Sequence, residues 1–297
     1  MAVDNKERVG ATGRSYRFEK LFQDRPHMGH VSGNDRYVLK DIPEAIFAGF
    51  KKNIQPNLPE SPYYCLPCDE IPDQRILVYK YLQGDLLSLV ENQIPLQYRK
   101  QILKASLRGI AQMHEQDIIH LDIKPDNIMV DFHQNGRDPV IKGMLPGNDN
   151  WRSPEAHVRG ELNKPTDMFF FGAVCIYSVL GSVIFGPDED FEKHAAHEVL
   201  PIFIRLQRQV SYFADREGLN GLMKHLSDSE DNCKLLGMLW EDRIADYHPY
   251  KLFAEWPNIE DVELKDLIAK MMSLDPEKRI TAHAALEYPW FANVLTV

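Results

Sequence analysis

The sequence predicts an α+β fold in two parts, a small strand-rich first part and a mainly helical remainder. Three observations carry this. Strand-like patterns, Tyr16, Phe18 and Leu21 and then the runs Tyr37–Lys40 and Arg75–Leu82, all fall before residue 83. Beyond it, residues 98–114 place Leu103, Leu107, Ile110, Ala111 and His114 on one helical face, and residues 168–185 run without a charge. Between these two helices lies His120–Asn127, reading HLDIKPDN, a polar run framed by Ile118-Ile119 and Ile128-Met129-Val130.

In chain order, residues 1–14 show no apolar period and are expected to be a mobile tail. A first strand starts near Tyr16, and Gly29 and Gly33 are expected to be turn glycines before the next strand, Tyr37–Lys40. Pro43 and Glu44 open a helical pattern through Ile46, Phe47 and Phe50, where a first-turn carboxylate favours the helix dipole. Cys65-Leu-Pro-Cys68 is a C-x-x-C pair with no second pair to complete a metal site, so the four cysteines are expected to be incidental. Arg75–Leu82 reads as a buried strand, and Asp85 follows Gly84 as a candidate helix N-cap. Asn135-Gly136 is the turn of an expected hairpin joining Ile128-Met129-Val130 to Val140-Ile141-Lys142. Residues 186–262 hold helical patches, and the eleven histidines form no ligand-spaced pair.

Composition bounds the partners. With 297 residues and 44% hydrophobic content the chain can bury a sizeable core. A net charge of −10 argues against non-specific binding to nucleic acid or an anionic membrane. The N-terminus has no signal-peptide pattern. The apolar run after Asp167 is at the length threshold for a membrane span, but its glycines, serines and mid-chain position predict a buried core helix.

HLDIKPDN carries two carboxylates, a lysine and an amide. Lys-Pro-Asp-Asn is also good turn chemistry, so spacing alone leaves a plain turn open. The run resembles the catalytic loop of the protein kinase family, in which an aspartate accepts the substrate hydroxyl proton and an asparagine five residues on holds magnesium. Trp151-Arg152-Ser153-Pro154-Glu155 resembles the end of that family's activation segment, and Lys164–Gly172 the start of its central helix. Leu274–Thr281 and Ala285–Phe291 are similar to its closing pattern.

The resemblance implies a two-lobed protein-kinase-like fold: a tail over 1–14, a small lobe over 15–82 and a large lobe over 83–297. It implies transfer of the γ-phosphoryl of ATP to protein Ser or Thr hydroxyls, since a lysine beside the catalytic aspartate resembles the serine/threonine branch. Asp122 would be the base, Lys124 would face the transferred group and Asn127 would hold Mg2+. Lys40 would contact the α and β phosphates, with Glu44 as its nearest candidate partner. Adenine would lie against Lys80 to Leu82, and Asp85 is a candidate for the ribose, its helix-capping alternative remaining open. Asp167 would hold the catalytic-loop backbone and Arg279 would pair with Glu155. A protein substrate or docking partner and an intracellular location, cytoplasmic or nuclear, follow from the same resemblance.

Two features depart from the family. Phe22–His27 stands where G-x-G-x-x-G is expected, so the phosphate lid is missing or remodelled. Continuing the second hairpin strand puts Gly143-Met144-Leu145 where D-F-G belongs, with no carboxylate; Asp131 and Asp149 are out of place for it, and Asp138, flanked by Pro139, is a further substitute though more often a turn residue. A segment bearing the metal aspartate and the activation loop is expected to be absent, by deletion or alternative transcript. Impaired transfer, or a pseudokinase acting as a binding module, is the expectation for this chain.

Overall fold

In the computed structural model, the described residues are 7–21, 28–31, 36–131, 140–141 and 149–294. The chain divides into two compact units, Met1–Gln83 with Val130–Lys142, and Gly84–Met129 with Gly143–Val297. The first is rich in strands and the second mainly helical, the α+β class that the sequence predicts.

The first unit opens with a hairpin of β1 (Arg8–Val9) and β2 (Ser15–Tyr16), then β3 (Phe18–Leu21), β4 (Met28–Val31), β5 (Tyr37–Asp41), β6 (Asp69–Ile71) and β7 (Ile76–Lys80). Strands β3 to β7 form one antiparallel sheet in the order β3-β4-β5-β7-β6. Alternation along the strands sorts the faces. Tyr37 and Leu39 on β5 join Tyr16, Ile71, Ile76 and Val78 in a buried cluster, and Lys40 is thereby turned to the other face.

Two expectations about this unit are corrected. Residues 7–14 are not a free tail: Thr12 donates from its N and Oγ1 to the carboxylate of Asp69, at 3.1 and 2.6 Å, and Ala11 N donates to Glu70 O at 2.8 Å. Tyr16 OH adds a bond of 2.7 Å to the same carboxylate. The buried acid supplies the anchor that an apolar stripe would otherwise supply, so periodicity gave no sign of it. Gly29 is not a turn residue either; it lies inside β4, opposite Leu21 and Leu39. Gly33 and Phe22–His27 lie outside the described residues.

Helix α1 (Glu44–Gly49) buries none of its residues and runs into a π turn, Phe50–Ile54, and a 3-10 turn, Gln55–Asn57. Further on, β9 (Met129–Asp131) pairs antiparallel with β10 (Val140–Ile141), Val140 opposite Asp131 and Ile141 opposite Val130. The predicted hairpin is therefore present in its paired strands; its turn, Asn135-Gly136, is outside the described residues. Asp131 closes β9.

The second unit begins with the two-residue β8 (Gly84–Asp85), followed by α2 (Leu86–Glu91) and α3 (Leu96–Glu115). It continues with α4 (Pro154–His157), α5 (Lys164–Leu180), α6 (Glu189–Ala196), α7 (Pro201–Phe213), α8 (Arg216–His225), α9 (Glu230–Asp242), α10 (Val262–Met271), α11 (Ala282–Leu286) and α12 (Pro289–Ala292). The core is α5, whose residues from Thr166 to Ser178 are all buried, packed between α3 and α10.

A helix apolar all round must be covered on every side, and α5 is. On one of those sides Gly172 lets Met272 approach so closely that a Cβ would sit 2.5 Å from its Cγ. The helix stops at Gly181, whose φ of 70° suits glycine and whose N–H bonds Tyr177 O. Among the described residues no helix is long and apolar enough to cross a membrane.

Candidate functional site

The predicted loop leaves α3 through two turns of left-handed backbone, Asp117 at φ 55° and Leu121 at φ 60°. Non-glycine residues adopt this conformation only where the surroundings hold them. Asp117 is held at the end of α3, its N donating to His114 O at 3.2 Å; at Leu121 the holder is Asp167 in the first turn of α5, a fully buried carboxylate. Its oxygens accept from His120 N at 2.7 Å, from Leu121 N at 2.8 Å and from the ring Nε2 of His114 at 2.9 Å. A buried charge is tolerable only when its lone pairs are used in this way. The role implied for Asp167 in holding the loop backbone is thus visible. His114, placed by the sequence only on the buried face of α3, is a third donor whose spacing of six from His120 was the one available signal.

Beyond Leu121 the loop closes on itself. Asp122 N donates to His120 Nδ1 at 3.1 Å, and a 3-10 turn over Pro125–Asn127 brings Asn127 back. The Asn127 side-chain nitrogen donates to Asp122 O at 2.9 Å and also to the Asp122 carboxylate. With that nitrogen directed at Asp122, the side-chain oxygen is the atom Asn127 could offer a cation. Lys124 Nζ lies 3.0 Å from Asp126. Asp122, Lys124 and Asn127 are all buried, which sets this run apart from a solvated turn.

Behind the loop, Arg279 binds Glu155 through two parallel bonds, Nη1 to Oε1 at 2.6 Å and Nη2 to Oε2 at 2.9 Å. Thr166 Oγ1 donates to the same Oε1 at 3.0 Å. Burial alone would raise the Glu155 pKa, but the charge and hydrogen bonds of Arg279 hold it below the ordinary value. The segment at Trp151–Glu155 is fixed further by Gln209, whose amide donates to Arg152 O at 2.6 Å, and by Trp151 set edge-on to Tyr177.

Other sequence candidates fall as follows. Lys40 is on β5, opposite Met28 and Leu77, with Nζ 4.7 Å from the centre of the Tyr79 ring. Glu44 is largely exposed, and its carboxylate is 3.7 Å from Arg75. Lys80 ends β7, exposed, and Leu82 is buried. Asp85 caps α2, accepting from Ser88 N at 2.8 Å and from Ser88 Oγ at 3.0 Å. Gly143-Met144-Leu145 and Asp138 lie outside the described residues.

The family model described as protein kinase domain matches residues 64–291. The chain belongs to the protein kinase domain family. It is 26% identical over 214 residues to the serine/threonine-protein kinase/endoribonuclease ire-1 of Caenorhabditis elegans, a match covering 65% of this chain and 17% of that protein. To the dual specificity tyrosine-phosphorylation-regulated kinase 3 of Homo sapiens it is 20% identical over 241 residues, 73% of this chain and 41% of the other. A probable leucine-rich repeat receptor-like serine/threonine-protein kinase of Arabidopsis thaliana matches at 31% over 132 residues, 37% of this chain and 13% of the other. The chain thus spans less than half the length of these relatives.

The protein kinase family uses ATP and Mg2+, so the donor set of this kinase domain can be tested against a hard cation. Magnesium takes near-octahedral oxygen coordination, usually from one or two carboxylates together with substrate phosphates and water. The loop offers the Asn127 oxygen beside Asp122. Among the described residues no group of three His, Cys, Asp or Glu side chains is arranged to hold a metal. The oxygen donors that the loop brings together are the Asn127 side-chain oxygen and the Asp122 carboxylate.

Proposed function

We propose that this kinase domain keeps the phosphoryl-transfer loop of a serine/threonine kinase, binds ATP weakly and transfers its γ-phosphoryl to protein Ser or Thr hydroxyls at a strongly reduced rate. The observation that supports this reading is the loop itself: Asp122, Lys124 and Asn127 buried together, tied by the Asn127 amide and anchored by Asp167. A carboxylate held by a hydrogen bond from the Asn127 amide is a fixed proton acceptor, and fixed position is most of what a protein contributes to this reaction. Asp122 takes the hydroxyl proton, Lys124 offsets charge on the transferred group, and Lys40 binds phosphate oxygens. The Asn127 oxygen is the metal donor, and backbone at Lys80 to Leu82 is the adenine seat. Glu44, exposed beside Arg75, is left out of this set.

The rate is reduced because the sequence provides no metal carboxylate to join the Asn127 oxygen and no glycine-rich phosphate lid. Removing an electrostatic contact to a developing charge costs about 3 to 4 kcal/mol, or two to three powers of ten in rate. The same two departures favour a second reading, a pseudokinase in which the helical unit docks a partner.

Thermal melting with ATP, with and without magnesium, separates the readings when combined with a transfer assay of Asp122→Asn. A magnesium-dependent rise in the melting temperature and transfer that vanishes in the variant are expected. Transfer that survives Asp122→Asn would remove the assignment of the base, and no transfer with no nucleotide shift would leave the docking module.

A further inference from the structure

The strand-rich unit contains a cavity of about 650 Å³, and of its lining residues only Lys80 and Tyr81 belong to a segment the proposed reaction uses, there through backbone. That volume is in the range of small-ligand sites. Arg14, Arg36 and Lys80 line it, against one carboxylate, Asp131. Among the described residues none of these three cations has a carboxylate in an ion pair. Arg14 instead lies 4.9 Å from the ring centre of Tyr37, and Arg36 5.9 Å from that of Tyr81, both rings also lining the cavity.

An excess of positive charge in one cavity stands out in a chain whose net charge is −10. The nearby acid that could have neutralised it is committed elsewhere. Asp69 accepts from Thr12 N and Oγ1, Tyr16 OH and Glu70 N, so hydroxyl and amide donors take its lone pairs. Those bonds clamp the β1–β2 hairpin to the sheet. They also fix the place from which Arg14 reaches the cavity, just after Gly13 at φ 81°. A guanidinium stacked on an aromatic ring keeps its in-plane N–H donors for another acceptor.

We infer that this cavity binds a phosphomonoester dianion, held by Arg14, Arg36 and Lys80, with the organic group against Tyr37 and Tyr81. The phosphate can belong to a phosphorylated side chain of a protein or to a free phosphate ester. The recognition chemistry is the same for both. The site uses the Lys80 and Tyr81 side chains rather than the backbone proposed to seat adenine, and it does not depend on the phosphoryl-transfer function.

The test is calorimetric titration of the full chain with phenyl phosphate, a phosphotyrosine peptide and its unmodified counterpart. Phenyl phosphate is expected to bind and to weaken with added salt. The double variant Arg14→Gln with Arg36→Gln should lose roughly tenfold or more in affinity, the usual scale for lost charge-assisted bonds. Arg14→Lys with Arg36→Lys should keep part of it. Thermal midpoints of both double variants should match the parent, because neither arginine anchors the core. A phosphopeptide that binds more tightly than phenyl phosphate, with the unmodified peptide silent, assigns the site to a protein partner. Binding of phenyl phosphate alone assigns it to a free ester. No binding of either phosphate probe, or affinity unchanged by the double glutamine variant, overturns the site.

Discussion

Arg279 grips both carboxylate oxygens of Glu155 across 124 positions of sequence, and neither side chain is exposed to solvent. An ion pair in that setting resists loss of either member more than it adds to stability. Arg279→Met, which leaves the Glu155 charge buried alone, is expected to cost about 3 to 5 kcal/mol in urea unfolding. Adding Glu155→Gln to it should recover part of the loss. Because the folded state holds the Glu155 carboxyl below its ordinary value of 4.5, its contribution is present above that pH. It is lost as pH falls below 4.5 through the depressed folded value. Acid unfolding of the Glu155→Gln variant should therefore be less steep in that window.

Asp167 is the second place where one residue carries several partners. Asp167→Ala removes the acceptor of His120 N, Leu121 N and His114 Nε2 together. Each buried donor left unpaired costs about 1 to 3 kcal/mol, so a fall of at least about 3 kcal/mol in unfolding free energy is expected. Amide hydrogen exchange should accelerate selectively at His120 and Leu121. Unchanged exchange at these two amides would mean that the loop does not depend on Asp167.

His157 in α4 supplies a pH signature of the opposite chemistry. Burial lowers its pKa from 6.5 to about 4, and its Nε2 has no hydrogen-bond partner among the described residues. A neutral buried imidazole favours the folded state above the unfolded pKa. Its contribution falls as pH drops from 6.5 toward 4, by about 3 kcal/mol across the window. Urea midpoints measured over that range should decline with falling pH. His157→Leu should flatten the decline, and an equal slope in both proteins would exclude His157 as its source.

Gly10 faces the Asp69 carboxylate so closely that a Cβ would lie 2.0 Å from Oδ2. Gly10→Ala is expected to push Asp69 off Thr12 and Tyr16 and to destabilise the β1–β2 hairpin by about 1 to 3 kcal/mol. Limited proteolysis near residues 8–16 reads this directly. Cleavage should appear in the variant at protease levels that spare the parent.

The strands of the first unit, the amphipathic helix ending at His114 and the apolar helix after Asp167 were legible because each repeats with its own period over consecutive residues. The paired strands at Val130 and Ile141 were legible from the Asn-Gly turn between them, and the spacing of Asp122 and Asn127 from eight consecutive residues. Kinase-family membership could be suspected from the order of four such short patterns. The residues that hold the site were harder to read. That Asp167 takes two amides 46 and 47 positions away, that the Arg279–Glu155 pair is buried rather than a surface bridge, and that Asp69 anchors residue 12 across 57 positions were decided by tertiary structure. The reason is physical: a periodic pattern reports which face is apolar. A buried charge is defined by donors that only folding brings within hydrogen-bonding distance, and no local spacing encodes them. The exposure of Glu44 beside Arg75 belongs to the same class, since a first-turn glutamate reads alike whether it faces water or a lysine.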